Sequence, residues 1–262
     1  TASLHQRPPA TPPPSATMIH GDARRLSTLA DNSTDLVLTS PPYFAPQTES
    51  LLTRPTREQT ESATVWQQVE QLARSLAPAY REIARILRPD RALVLQIKDL
   101  RYGGELLPLT HLHREMAIDA GFRVRTRIFV HIYDRRSPGR SFLRKPVVRA
   151  FRADEVEEVL VLSHEPLRRS LRHPVPLPEE ELYKLTQPLW RCGGAKKRVG
   201  ATFPFAPSLA RKMIELFTEP GEQVVDPFAG TGIALSTAAS LGRPAVGYEI
   251  DPERVREFHS AA

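Results

Sequence analysis

At 262 residues the chain is long enough to bury one full core, with room for an inserted subdomain. Its single cysteine, Cys192, excludes a disulfide framework and fits a reducing, cytoplasmic setting; no signal-peptide core is read at the start, and no apolar run approaches the roughly 20 residues of a membrane span. Lysine and arginine total 36 against 30 acids, a net charge of +6 that suggests a polyanionic partner wherever the excess is clustered.

Residues 1–16 are rich in proline and small polar residues, and a disordered or extended tail is expected there. Met18-Ile19-His20 reads as a short strand leading into Gly21-Asp22, followed by a helical or turn segment around 24–29. Asp35-Leu36-Val37-Leu38 is an apolar run that reads as a buried strand, and it ends in Thr39-Ser40-Pro41-Pro42-Tyr43. Proline has no N–H and fixes φ, so the ladder cannot continue; the chain leaves the strand's carboxyl end with a ring and bare carbonyls exposed. Open α/β sheets bind ligands at that end, so the stretch is read as a pocket for a planar amine. Residues 44–62 are polar and unpatterned, as expected of a loop over a site.

Apolar residues recurring from Val65 to Leu87 predict a helix, kinked or divided at Pro78 and stopped by Arg88-Pro89-Asp90. Ala92–Ile97 reads as a buried strand ending at Lys98-Asp99. A second amphipathic helix is predicted over 105–120, closed by Gly121. Its His111 and His113, two positions apart, lack a metal-ligand spacing and are expected at the surface. Phe122–Val130 alternates apolar residues with Arg123, Arg125 and Arg127, a strand with an arginine-bearing face. Residues 134–200 hold one clear strand, Val156–Leu162, among proline- and arginine-rich loops, and are read as an insertion. Regular order then returns with a helix at 206–218, a strand Gln223–Val225 running into Asp226, a small-residue helix at 232–241 and a strand Ala245–Glu249. The alternation implies an α/β class with a mostly parallel sheet.

A second anchor lies near the other end. Val224-Val225-Asp226-Pro227-Phe228-Ala229-Gly230-Thr231-Gly232 is a strand, a tight glycine turn and a helix start, where the backbone can approach a ligand closely. Glu249 ends the next strand, placed like the ribose-binding carboxylate of dinucleotide folds; the turn lacks GxGxxG, which favours an adenosine cofactor other than NAD.

With both anchors read, the sequence resembles the S-adenosylmethionine-dependent DNA amino-methyltransferases of bacterial restriction–modification systems. Asp226–Gly232 (DPFAGTG) looks like their cofactor motif and Thr39–Tyr43 (TSPPY) like their catalytic motif. Catalytic motif first and cofactor motif last is the permuted order of their beta group. Gly21-Asp22 resembles the segment whose acid contacts the adenine. Ala201-Thr202-Phe203-Pro204 resembles the segment that touches the methionine part, although the family's leading His is absent. The resemblance implies a Rossmann-like class I methyltransferase, with a twisted, mostly parallel sheet covered by helices on both faces. Residues 17–133 would be its catalytic half, 134–200 a target-recognition insertion and 201–262 its cofactor-binding half. It implies S-adenosyl-L-methionine as cofactor, held by Asp22, Thr202, Phe203, Asp226, Phe228, Gly230, Thr231, Gly232 and Glu249. Double-stranded DNA is the implied partner, and a cognate restriction endonuclease a further one.

The residue types suit such chemistry. An exocyclic amine is a poor nucleophile because its lone pair is delocalised into the ring. Acceptors that hold its N–H groups favour a pyramidal nitrogen; Ser40 Oγ and the Pro41 carbonyl are placed to be those acceptors, with Pro42 stiffening the turn and Tyr43 offering a ring to a flipped base. No covalent nucleophile is required, so Cys192 reads as a packing residue. In the family resembled, Ser in the first position of this motif is commoner with cytosine N4, and Asp or Asn with adenine N6, so the resemblance favours cytosine N4, with adenine N6 as the alternative.

Other readings stay open. Asp22 can equally cap the helical segment after it, and Asp99 can be structural. A DNA-binding protein that keeps the fold without transfer is the alternative from another class. Basic residues crowd the insertion, from Arg135, Arg136, Arg140, Arg144 and Lys145 onward to Arg198, with few acids before Asp154. A phosphate-facing surface is expected there.

Overall fold

The computed structural model describes residues 15–42, 62–102, 105–133, 156–167, 178–193 and 206–261. Its strands are β1 (Ala16–His20), β2 (Thr34–Thr39), β3 (Leu87–Ile97), β4 (Leu100–Tyr102), β5 (Glu105–Leu107), β6 (Arg123–Tyr133), β7 (Val156–Ser163), β8 (Leu189–Gly193), β9 (Val224–Asp226) and β10 (Ala245–Glu249). Its helices are α1 (Ser62–Ile86), α2 (Leu109–Asp119), α3 (Glu179–Leu185), α4 (Pro207–Phe217), α5 (Ile233–Ser240) and α6 (Pro252–Ala261).

Eight strands form one sheet in the order β1-β10-β9-β2-β3-β7-β6-β8, and β4 with β5 forms a separate hairpin. From β1 to β3 all neighbours are parallel; β7 runs antiparallel to both β3 and β6, and β8 is parallel to β6. Strands from the end of the chain, β9 and β10, therefore sit between β1 and β2 from its beginning. That exchange brings the two sequence anchors side by side.

The sheet is covered on both faces, which is why β2 (TDLVLT) is buried at every position. Alternate residues divide between two cores. Leu36, Leu38, Val94, Val159 and Val161 pack with Leu209 and Met213 of α4 and Leu235 of α5. Val37, Leu93, Leu95, Leu160 and Leu162 pack with Tyr80 and Ile83 of α1 and Met116 of α2. The expected mostly parallel α/β architecture with helices on both faces is the one observed.

Several local expectations are corrected. The first long helix is not divided at Pro78 but runs through it. Arg88-Pro89-Asp90 belongs to β3, where Arg88 reaches Asp35 at 2.5 Å and Arg91 reaches Glu222 at 2.6 Å. The helix predicted from 105 begins at Leu109, because the chain first forms β5 and Asp99 Oδ1 then accepts the Thr110 N–H at 2.9 Å. Asp99 thus has the structural role left open for it. Of the two readings given for residues 24–29, helix or turn, the turn is the one observed.

His113 is fully buried, not at the surface as expected. It shares the core-facing stripe of α2 with Leu109, Met116 and Ala117, and its Nδ1 bonds the Tyr80 hydroxyl at 2.7 Å. Burial lowers its pKa to about 4, so the ring is neutral at physiological pH. Within the span 134–200, β7 occupies the space between β3 and β6, and β8 forms the sheet's edge. Those parts are built into the central sheet; α3 and β8 had no clear periodicity in the sequence.

Candidate functional site

The carboxyl ends of β2, β9 and β10 converge on one edge of the sheet. Parallel pairing sets Leu36 opposite Val224 and Val37 opposite Val225, so the chain leaves both strands at the same level. There Thr39 Oγ1 donates to Asp226 Oδ1 at 2.6 Å, and the Phe228 N–H donates to the same oxygen at 3.1 Å. Both side chains of the Thr39–Asp226 pair are buried. Burial raises the Asp226 pKa to about 7; the two hydrogen bonds oppose the shift and the nearby Glu249 charge adds to it. Asp226 therefore faces inward, tying the first anchor to the second.

Beyond Asp226 the glycine turn has the geometry its residues permit. Gly232 precedes α5 with φ 76°, and a Cβ there would lie 2.3 Å from the Phe258 ring, so α6 packs directly on the turn. Gly230 also has a positive φ, 54°, but a Cβ there would meet only the Phe228 carbonyl, at an ordinary 3.9 Å. The Gly230 N–H donates to Glu249 Oε2 at 2.8 Å, and the Asp251 N–H to Oε1 at 2.9 Å. Glu249 is buried and links the turn after β9 to the turn after β10. Each carboxylate oxygen keeps a second lone pair for a ligand donor. Thr231 is partly buried beside these groups.

Ile250 follows Glu249 with 66% of its surface exposed, an apolar side chain at the mouth of an otherwise polar turn. Its carbonyl lies 3.2 Å from His20 Nε2, and Gly21 N–H donates to the Glu249 carbonyl at 3.0 Å, so β1 completes the rim. Asp22 sits on that rim. Its Oδ1 accepts the Arg24 N–H at 2.8 Å and its Oδ2 accepts Arg24 Nε at 2.9 Å. The guanidinium bonds hold its carboxyl below the usual carboxylate range. Asp22 thus closes a turn on itself instead of capping a helix.

At the end of β2, Ser40 is half-buried, Pro41 buried and Pro42 exposed. Tyr43, Thr202 and Phe203 lie outside the described residues, as do the basic residues 135–152, 168–172 and 196–198. The structure thus gathers Ser40, Pro41, Asp226, Phe228, Gly230, Thr231, Gly232, Glu249 and Asp22 at one end of the sheet. Two contributors had no role in the sequence reading. Thr39 was legible only as part of its motif, since its partner is set by strand pairing. Ile250 could have been noticed as an apolar residue directly after a strand-ending acid.

Among the described residues no group of three or more His, Cys, Asp or Glu is arranged to hold a metal ion, and no helix is long and apolar enough to cross a membrane. Cys192 is buried, and burial pushes its thiol pKa up, away from nucleophilic use.

Comparison with known proteins bears on the same architecture. The family model described as DNA methylase, covering N6 and N4 methyltransferases, matches residues 34–260. The type II methyltransferase M.MjaI of Methanocaldococcus jannaschii is 26% identical, with 89% of this chain and 86% of the relative aligned. TTHA0409 of Thermus thermophilus, solved in complex with S-adenosyl-L-methionine, superposes with a TM-score of 0.70 at 26% identity over 94% of this chain and 93% of that one. The cytosine-N4-specific PvuII DNA methyltransferase shares the fold, with a TM-score of 0.69 at 18% identity over 94% and 86% of the two chains.

Proposed function

Because the chain belongs to the DNA methylase family that joins N6 and N4 amino-methyltransferases, we propose that it methylates the exocyclic N4 amine of a flipped cytosine in duplex DNA, using S-adenosyl-L-methionine. The observation that carries this reading is the bond between Thr39 and Asp226, which holds the amine-binding and cofactor-binding motifs against each other. Two ligands that must react need such adjacency, since holding them in register removes most of the entropic cost of their meeting.

The residues present suit the cofactor. Gly230 leaves the turn without a side chain where a ligand must come close, while Gly232 makes room for the Phe258 ring behind it. Glu249 has lone pairs free for ribose hydroxyls, and Ile250 presents an exposed apolar surface for the adenine ring. Asp22, oriented by Arg24, stands on the same rim. Thr202 and Phe203 are assigned to the methionine part on their resemblance alone. When bound, S-adenosyl-L-methionine supplies an electrophilic methyl group on a sulfonium. The buried carboxyl of Asp226, shifted towards neutrality, positions Thr39 and the turn and leaves ligand contact to its neighbours.

On the target side, Ser40 Oγ and the Pro41 carbonyl accept from the amine and Tyr43 stacks on the flipped ring. Ser40 is an uncharged donor and acceptor, which suits the N3/N4 edge of cytosine. The span 134–200, apart from β7 and β8, is assigned to target recognition, its arginines and lysines meeting phosphates. The test is mass spectrometry of nucleosides from DNA incubated with enzyme and cofactor. N4-methylcytosine is expected. N6-methyladenine would overturn the base assignment, and cofactor binding with neither product would leave a DNA-binding protein that has lost transfer.

A further inference from the structure

Beside the site described above lies a polar pair, one member of it buried, that it does not use. Gln96, next to last in β3, is 4% exposed; its Nε2 donates to Glu157 Oε2, while its Oε1 is buried with no hydrogen-bond partner among the described residues. Thr39 of β2 stands opposite Leu95 of β3, so continuing the register by one step sets Ser40 beside Gln96. Both residues fall on the face to which Leu38 and Val94 turn, and both lie at the carboxyl end of the sheet. On the other side, Gln96 stands opposite Val159 of β7, and Glu157 comes two residues earlier in that strand on the same face.

The arrangement is unusual because a buried acceptor without a donor is destabilising unless something supplies one. Gln96 is also oriented: with its amide nitrogen taken by the Glu157 carboxylate, the free end of the amide is an acceptor only. Glu157 is itself largely buried, which raises its pKa, while the Gln96 bond and the positive charge of Lys98 pull it back. Lys98 is buried as well.

We propose that Gln96 is a base-selecting residue, whose Oε1 accepts one N–H of the target's exocyclic amine while Ser40 and the Pro41 carbonyl take the other. Glu157 is then a positioning residue that fixes the orientation of the amide. This rests on the function proposed above and adds to it a reason for rejecting thymine and guanine. Each of those bases carries a carbonyl where the amine would be, and a carbonyl facing Oε1 leaves two acceptors opposed. A site built around a buried hydrogen-bonding group rejects the analogue that cannot satisfy it far better than an apolar pocket does.

The test uses the full chain, tritiated cofactor and unmethylated DNA of high sequence complexity. Gln96→Met keeps the side chain's length without the acceptor. It should incorporate methyl groups roughly 10- to 100-fold more slowly, the effect of leaving one hydrogen-bonding group unpaired. The KM for cofactor and the melting temperature should stay at wild-type values. Glu157→Leu should lose a similar factor, and Glu157→Gln, which still accepts from Gln96, should restore most of it. Should Gln96→Met fail to fold, Gln96→Asn draws the acceptor back by one methylene and is expected to show the same loss. Wild-type rates in either folded Gln96 variant would overturn the inference and leave the proposed function standing. Absence of incorporation by the wild-type enzyme would instead overturn the proposed function.

Discussion

Thr39 Oγ1 donates to Asp226 Oδ1 across 2.6 Å, although 187 positions separate the two residues in the chain. Removing the donor leaves a buried carboxyl short of a partner. Thr39→Val should therefore cost about 1–3 kcal/mol of stability, while Thr39→Ser, which keeps the hydroxyl, should cost less. Chemical denaturation of the two variants measures the difference.

Asp226 also predicts a pH dependence. Its folded-state pKa is raised from 3.8 to about 7, so between those values the unfolded chain has released a proton that the folded chain still holds. The group's stabilising contribution is complete below the unfolded value and is lost as pH rises through the folded one. The stability of wild type relative to Asp226→Asn should fall from about pH 4 to about pH 7 and be flat above, because Asn does not titrate. A difference that stayed flat over that window would mean the carboxyl is already ionised in the folded protein.

The two positive-φ glycines of the turn should respond unequally. Gly232→Ala adds a Cβ 2.3 Å from Phe258 at a strained φ, and should cost about 2 kcal/mol or more together with cofactor affinity. Gly230→Ala meets nothing closer than the Phe228 carbonyl at 3.9 Å, an ordinary contact, so about 1 kcal/mol of backbone strain is expected. Phe258→Ala should recover part of the loss in Gly232→Ala and none in Gly230→Ala. Thermal melts with and without S-adenosyl-L-methionine separate these outcomes.

Binding and transfer should divide between the two anchors. Ile250→Asp changes an exposed side chain, so the melting temperature should hold while cofactor affinity falls roughly tenfold, as expected for about 1.4 kcal/mol of lost apolar contact. Ser40→Ala should leave cofactor affinity intact and slow methyl incorporation by about 10- to 100-fold. Equilibrium dialysis paired with single-turnover incorporation checks both, and a cofactor-affinity loss in Ser40→Ala would contradict the division.

Affinity for duplex DNA should decline linearly in logarithmic units with salt, at about 0.9 per phosphate neutralised. Titrations at several ionic strengths give that slope. A flat response would remove the phosphate-facing role assigned to the basic residues of 134–200.

Local chemistry made the two anchors legible. Two prolines after a hydroxyl end a strand whatever lies around them, and glycines between an acid and a small-residue helix make a tight turn. Apolar periodicity located the main sheet strands with the exception of β8. It failed where a signal depended on distant partners. His113 looked like a surface residue because polarity was read without its place on the helical stripe, where Tyr80 supplies its partner. Val156–Leu162 read as a strand within an insertion, because nothing local says that both its neighbours belong to the central sheet.

By itself, then, the amino-acid sequence determined the class of fold and the two anchors, since these rest on steric and hydrogen-bonding limits that act within a few residues, and it pointed to the family through the resemblance of its motifs. Only the tertiary structure decided that Thr39 faces Asp226, that Glu249 closes onto the Gly230 turn, and that the buried Gln96 Oε1 is left without a donor among the described residues. Strand order is chosen by how two apolar faces are buried at once, and that choice belongs to the whole chain.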